Sequence, residues 1–138
     1  MRQQPYQAYQ RVRVETASPP QLLLALYDGA VRFLGRARAA QESGDREGLH
    51  RNLVRTQDIV VELMTSLDLS RGGVAQQLMG LYVYVYRTLV EANVAHDGAK
   101  IEEIDGILRK LRDAWREAVR RTESPHAATG VPAGGVAG

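Results

Sequence analysis

Residues 78–94 read Leu78-Met79-Gly80-Leu81-Tyr82-Val83-Tyr84-Val85-Tyr86-Arg87-Thr88-Leu89-Val90-Glu91-Ala92-Asn93-Val94, and the fold turns on how this run is read. The alternation of Tyr82, Tyr84 and Tyr86 looks like a strand, whose side chains change face at every residue. Helical spacing accounts for more of it. Leu78, Leu81, Tyr82, Val85, Leu89 and Ala92 recur three and four apart and form one stripe, with Tyr82 and Tyr86 on neighbouring positions and Tyr84 pointing away.

Working outward, the punctuation predicts four helices of similar length. Gly72-Gly73 precedes the third helix, expected over Val74 to Ala95, and His96-Asp97-Gly98 follows it as a turn with Asp97 as the cap of a fourth helix to about Arg121. Upstream, Ser18 is placed to cap a first helix whose opening turn holds Pro19 and Pro20, where a missing N–H costs nothing. That helix stops at Gly44, and Asp45 is placed to cap a second one reaching about Leu67. Short connections between helices of this length make sequential neighbours antiparallel, so the expected fold is all-α: an up-down four-helix bundle over residues 18–121. Residues 1–17 carry Tyr6, Tyr9, Val12 and Val14, enough apolar surface to lie along the bundle. Residues 122–138, rich in Gly, Ala, Ser and Pro, lack the apolar side chains that offset ordering entropy, and disorder is expected there.

The chain has 138 residues, 44% hydrophobic and 25% charged, which suits one domain with its own core. It has no cysteine, so disulfides, thiolate metal sites and cysteine nucleophiles are excluded. Eighteen basic residues face sixteen acidic ones, too even a balance for binding nucleic acid by counterion release. No segment approaches the run of about 20 apolar residues that spans a bilayer, so no membrane insertion is expected. Residues 1–6 lack the apolar stretch of a cleavable secretory signal, and the expected compartment is the cytoplasm.

The apolar arcs are wider than a bundle alone requires. The fourth helix is ordinary: Ile101, Ile104, Ile107, Leu108, Leu111, Ala114, Trp115, Ala118 and Val119 span roughly 140°. In the third helix Met79, Val83, Tyr86, Val90 and Val94 widen the arc to roughly 220°. In the second, Val54, Val61 and Met64 extend the Leu49, Leu53, Val60, Leu63, Leu67 stripe on one side and Ile59 on the other. Leu24, Tyr27 and Val31 lie off the Leu22, Leu26, Phe33 stripe of the first. Such surplus marks a surface that something else covers: a second copy of the chain, its own N-terminal segment, or amphipathic helices from another protein.

Enzymatic chemistry finds no footing. A di-iron bundle needs Glu-x-x-His pairs facing inward, and the two formal matches are ill placed. Glu47 with His50 sits in a helix's first turn, and Glu123 with His126 falls in the tail around a proline. The three histidines are scattered over a helix start, a turn and the tail, so no nucleophile, base and orienting group assemble. Gly72-Gly73 lacks the Lys-Ser or Lys-Thr of a phosphate loop. Arg109, Arg112 and Arg116, alternating with Asp105 and Asp113, read as a solvated, salt-laced face. No cofactor or metal is implied.

Several short stretches, in order, resemble the FliS family of flagellin export chaperones. They are Thr16-Ala17-Ser18-Pro19, Leu26-Tyr27-Asp28-Gly29-Ala30-Val31-Arg32-Phe33-Leu34, Gln57-Asp58-Ile59 with Glu62-Leu63 and Ser66-Leu67-Asp68, Gly72-Gly73, Leu81-Tyr82 to Tyr84 with Arg87 and Glu91-Ala92-Asn93, and Leu111-Arg112-Asp113-Ala114-Trp115. The resemblance runs from Tyr6 to about Val119, and departs from the family pattern at Pro20, in a shortened link after Gly73 and in the tail. It implies a cytoplasmic chaperone that binds the disordered C-terminal segment of flagellin, prevents early polymerisation and helps deliver it to a component of the flagellar export gate. It also implies a cargo surface on the outside of the bundle, partly covered by the N-terminal segment when cargo is absent. The cargo-binding residues expected on this basis are Tyr9, Val12, Tyr27, Val54, Val61, Met64, Met79, Tyr82, Tyr86 and Val90. A homodimer that buries the same shoulders by self-association is the alternative.

Overall fold

The computed structural model describes residues 19–123, apart from the side chains of Arg71, Thr122 and Glu123. It contains helices α1 (Pro19–Ser43), α2 (Arg46–Thr65), α3 (Gly73–Ala95) and α4 (Gly98–Glu123), with a 3-10 turn, Leu69–Arg71, between α2 and α3. No strand occurs among the described residues. The cap at Ser18, the N-terminal cover with Tyr9 and Val12, and the tail from Ser124 lie outside them. Two ends differ from expectation. α2 stops at Thr65 rather than Leu67, and α4 continues to Glu123, so Thr122 and Glu123 are helical; Arg120 and Arg121 in its last turn suit the negative end of the helix dipole.

The boundaries follow from local chemistry. Gly44, at φ 77, turns the chain out of α1. Asp45 Oδ1 then accepts the Gly48 amide at 2.9 Å, satisfying one of the first amides of α2. Gly48 is required there: a Cβ would run into the Asp45 carboxylate and come within 3.3 Å of the Ala40 Cβ. His96, left-handed at φ 54, ends α3, and Asp97 Oδ1 accepts the amides of Ala99 at 3.0 Å and Lys100 at 3.4 Å.

The described residues divide into two compact units, Leu26–Leu111 and residues 19–25 with 112–123. The larger is built from all four helices packed antiparallel. Its largest fully buried side chains are Leu34 from α1, Leu53, Thr56, Val60 and Leu63 from α2, Val85 and Leu89 from α3, and Ile101, Ile104 and Leu108 from α4. Each of the aliphatic ones contributes about 1.5–3 kcal/mol by leaving water. Two buried polar side chains of α2 are tied to their own helix: Asn52 donates to the Gly48 carbonyl and Thr56 to the Asn52 carbonyl, both at 2.8 Å.

Asp105 corrects the reading of α4 as solvated along its charged side. It is 5% exposed, and its Oδ2 accepts from Arg38 Nη1 at 3.2 Å and Arg109 Nε at 2.9 Å, while Arg38 also pairs with Glu102. The carboxylate is an ionic tie between α1 and α4. In the smaller unit the Trp115 indole N–H donates to the Pro20 carbonyl at 2.9 Å, Val119 is buried and Ala114 is exposed, outside the stripe expected to hold it.

Candidate functional site

Helices α2 and α3 lie against each other, and the Asn93 side-chain amide donates to His50 Nδ1 at 2.8 Å. That bond sets the antiparallel register. At 1.5 Å per residue in each helix, Val54 stands level with Val90, Gln57 with Tyr86, and Met64 with Met79. His50, Val54, Gln57, Val61 and Met64 form one ridge of α2, and Met79, Val83, Tyr86, Val90 and Val94 the facing ridge of α3.

Both ridges look outward. Val61 is 40% exposed, Val90 37% and Val94 79%, while Val54, Met64, Met79, Val83 and Tyr86 are half-buried. Such a strip of aliphatic and thioether surface between two helices is the chemistry that receives the apolar side of a third helix. Methionine at one end, Met64 with Met79, adds conformational tolerance. The other outward side of α3 is polar, where the Tyr84 hydroxyl donates to Glu103 at 2.5 Å and Glu91 pairs with Lys100 at 3.4 Å. Gln57 carries a buried Oε1 without a hydrogen-bond partner among the described residues.

Of the ten residues the sequence singled out, Val54, Val61, Met64, Met79, Tyr86 and Val90 come together on this strip. Tyr9 and Val12 lie outside the described residues. Tyr27 and Tyr82 are elsewhere: they are 5% and 3% exposed, and their hydroxyls are hydrogen-bonded to each other inside the larger unit. Burial pushes both phenols above their ordinary pKa, for Tyr27 with a further rise from the hydrogen bond and for Tyr82 against a lowering from it. The pair stays neutral and holds α1 to α3; neither ring offers surface to a partner. The signal that separates them from Tyr86 is contact across 55 residues of sequence, which no helical projection contains.

Sequence reasoning also placed Phe33 in a core stripe. It is half-buried, and the guanidinium carbons of Arg32, Arg36 and Arg55 each lie 5.5 Å from its ring centroid. Glu47 and His50 are exposed at the start of α2, and no cluster of three metal-ligating side chains occurs among the described residues. None of the described helices is long and apolar enough to cross a membrane.

The sequence matches the family model described as flagellar protein FliS over residues 2–122. It is 40% identical over 119 residues to the flagellar secretion chaperone FliS of Bacillus subtilis, covering 86% of this chain and 88% of that protein. Against the chaperone of the same name from Salmonella typhimurium the identity is 39% over 116 residues, covering 80% and 86%. With the flagellar secretion chaperone FliSB of Pseudomonas aeruginosa it is 31% over 112 residues, covering 78% and 89%.

Proposed function

The chain belongs to the FliS family of flagellar secretion chaperones, a chaperone family and not an enzyme family, and on that premise we propose that its cargo is the C-terminal segment of flagellin, received by the α2/α3 strip. The observation that carries this reading is the outward apolar ridge pair, with Val61 and Val90 exposed at its centre while the adjoining core is already full. A disordered cargo segment would fold into amphipathic helices on the strip and hide there the surface it uses to polymerise. Coupled folding costs about 2–5 kcal/mol of the gross interaction, which keeps affinity moderate and lets an export-gate component unload the cargo. The proposed compartment for this work is the cytoplasm.

The N-terminal segment, residues 1–17, enters the same proposal as a displaceable cover, with Tyr9 and Val12 as its apolar contacts. It accounts for an apolar strip that stays soluble before cargo arrives. Deleting residues 1–12 is expected to strengthen flagellin binding or to release self-association; unchanged affinity and unchanged mass would end the cover idea.

The central test is calorimetric titration of the protein with a peptide of the flagellin C-terminal region. Val61→Asp and Tyr86→Asp are each expected to abolish heat of binding with helix content intact. Undiminished affinity in both variants would remove the strip as the cargo site. A dimer whose mass is indifferent to the peptide would favour a homodimer using the same ridges.

A further inference from the structure

We propose that Arg32, Arg36 and Arg55, gathered around the Phe33 ring where α1 meets α2, form a second docking surface, for an acidic segment of a partner protein. The cluster is built by a close helix approach. Gly29 lies one turn before Phe33 on α1, and a Cβ there would come within 3.2 Å of Ile59 Cδ1, one turn beyond Arg55 on α2. With only hydrogen at that crossing, the backbones draw near enough for Arg55 to reach the ring from the opposite helix. Three guanidinium carbons each 5.5 Å from one centroid lie within about 11 Å of one another.

The three guanidiniums are exposed and lack a direct ion-pair partner among the described residues, whereas Arg38, Arg109, Arg112 and Arg120 each hold one. Arg51, exposed one turn before Arg55, extends the positive stripe. The ring's π face offsets part of the mutual repulsion and holds the guanidinium planes in place. Their N–H edges remain for carboxylates, which they match in bidentate geometry.

Residues 1–18 and 124–138 are a poor source of those carboxylates. Residues 1–18 carry Arg2, Arg11 and Arg13 against Glu15 alone, and residues 124–138 contain no Asp or Glu. The proposed complement is an acidic segment of another protein. A protein segment fits better than a nucleic acid, because the rest of the chain, fifteen basic residues against sixteen acidic, offers no net positive charge for a continuous phosphate backbone, while a short acidic segment meets only the cluster. This surface is separate from the α2/α3 strip, and its test does not depend on the cargo reading.

The experiment titrates the full-length protein with a fluorescein-labelled Glu-rich peptide of about 12 residues, some 18 Å as a helix, at about 50 mM salt, where screening is weak. A Gln-rich peptide of equal length and a single-stranded oligonucleotide are run beside it. The Glu-rich peptide is expected to bind, the Gln-rich one not. Arg32→Gln and Arg55→Gln are each expected to weaken binding about two- to fivefold, the range of exposed ion pairs, and the triple replacement with Arg36→Gln to abolish it. Arg87→Gln, which removes an equal charge from the exposed part of α3, leaves it unchanged, and the triple variant still binds the flagellin peptide. The proposal is overturned if the two peptides bind alike, if Arg87→Gln weakens binding as much as Arg55→Gln, or if the oligonucleotide binds more tightly than the Glu-rich peptide.

Discussion

Leu89 and Val90 are neighbours on α3, similar in chemistry, and opposite in situation. Leu89 is fully buried, along with Val85 and Ala92 on the same side, whereas Val90 shares the outward strip with Met79, Tyr86 and Val94. Only one of the two apolar faces is used by the fold. The inner face is packed against the other helices, so the outer face contributes less to folding and, on the proposed reading, is the one that meets cargo. An α-helix has room for about 100° of core-facing stripe; the remaining apolar arc of α3 is surface in search of a partner.

The sharpest way to break this comparison is to place the same charge on each face. Leu89→Asp buries a carboxylate without a partner, a penalty of several kcal/mol against a total stability of about 5–15 kcal/mol, and the variant is expected to be unfolded by circular dichroism at room temperature. Val90→Asp, one residue on, is expected to change stability by less than about 0.5 kcal/mol while flagellin-peptide binding is lost. Loss of the fold in Val90→Asp would mean that the outer face is structural after all.

The tyrosines refine the same contrast at smaller scale. Tyr27→Phe leaves the buried Tyr82 hydroxyl unpaired and is expected to cost about 1–2 kcal/mol in a denaturant melt, whereas Tyr86→Phe on the outer face is expected to cost almost nothing. The Tyr27→Phe, Tyr82→Phe double variant should cost less than the two single changes added together, because the pair is lost once. The pH dependence has a definite sign. Burial holds both phenols protonated above the point, near pH 10, where they ionise in the unfolded chain. Their contribution is therefore fully present below about pH 10 and declines as the pH rises beyond it. Thermal melts between pH 9 and pH 11 are expected to fall steeply for the natural protein and much less for the double variant.

Much of this architecture was legible in advance because its determinants are local. Gly44, Asp45, Gly72 and Asp97 act on amides within a few residues, and helical spacing of apolar residues exposed the surplus on α2 and α3. The 3-10 turn at Leu69–Arg71 was not legible, since three residues leave no periodicity to detect. Asp105 looked solvated because Arg38, its partner on α1, is 67 positions away. Tyr27 and Tyr82 looked like partner-facing residues for the same reason. Phe33 passed for core because its three arginine neighbours come from two helices, and only the Gly29–Ile59 approach brings the third of them in. Projection of one helix identifies an excess of apolar surface; deciding which part of the excess other helices consume requires the tertiary packing.

The smallest expected effect belongs to Tyr84, the tyrosine that neither face of α3 uses. It is exposed and donates to Glu103 of α4, and that carboxylate, accepting the phenolic hydrogen, raises the Tyr84 pKa. The sign matches that of the buried pair. Solvent screens a bond of this kind, and side-chain ordering offsets much of what remains. Tyr84→Phe is accordingly expected to leave the thermal midpoint at neutral pH and flagellin-peptide affinity unchanged. A loss of peptide binding in Tyr84→Phe would move the cargo strip from the α2 side of α3 to the α4 side, and with it the boundary between the two faces.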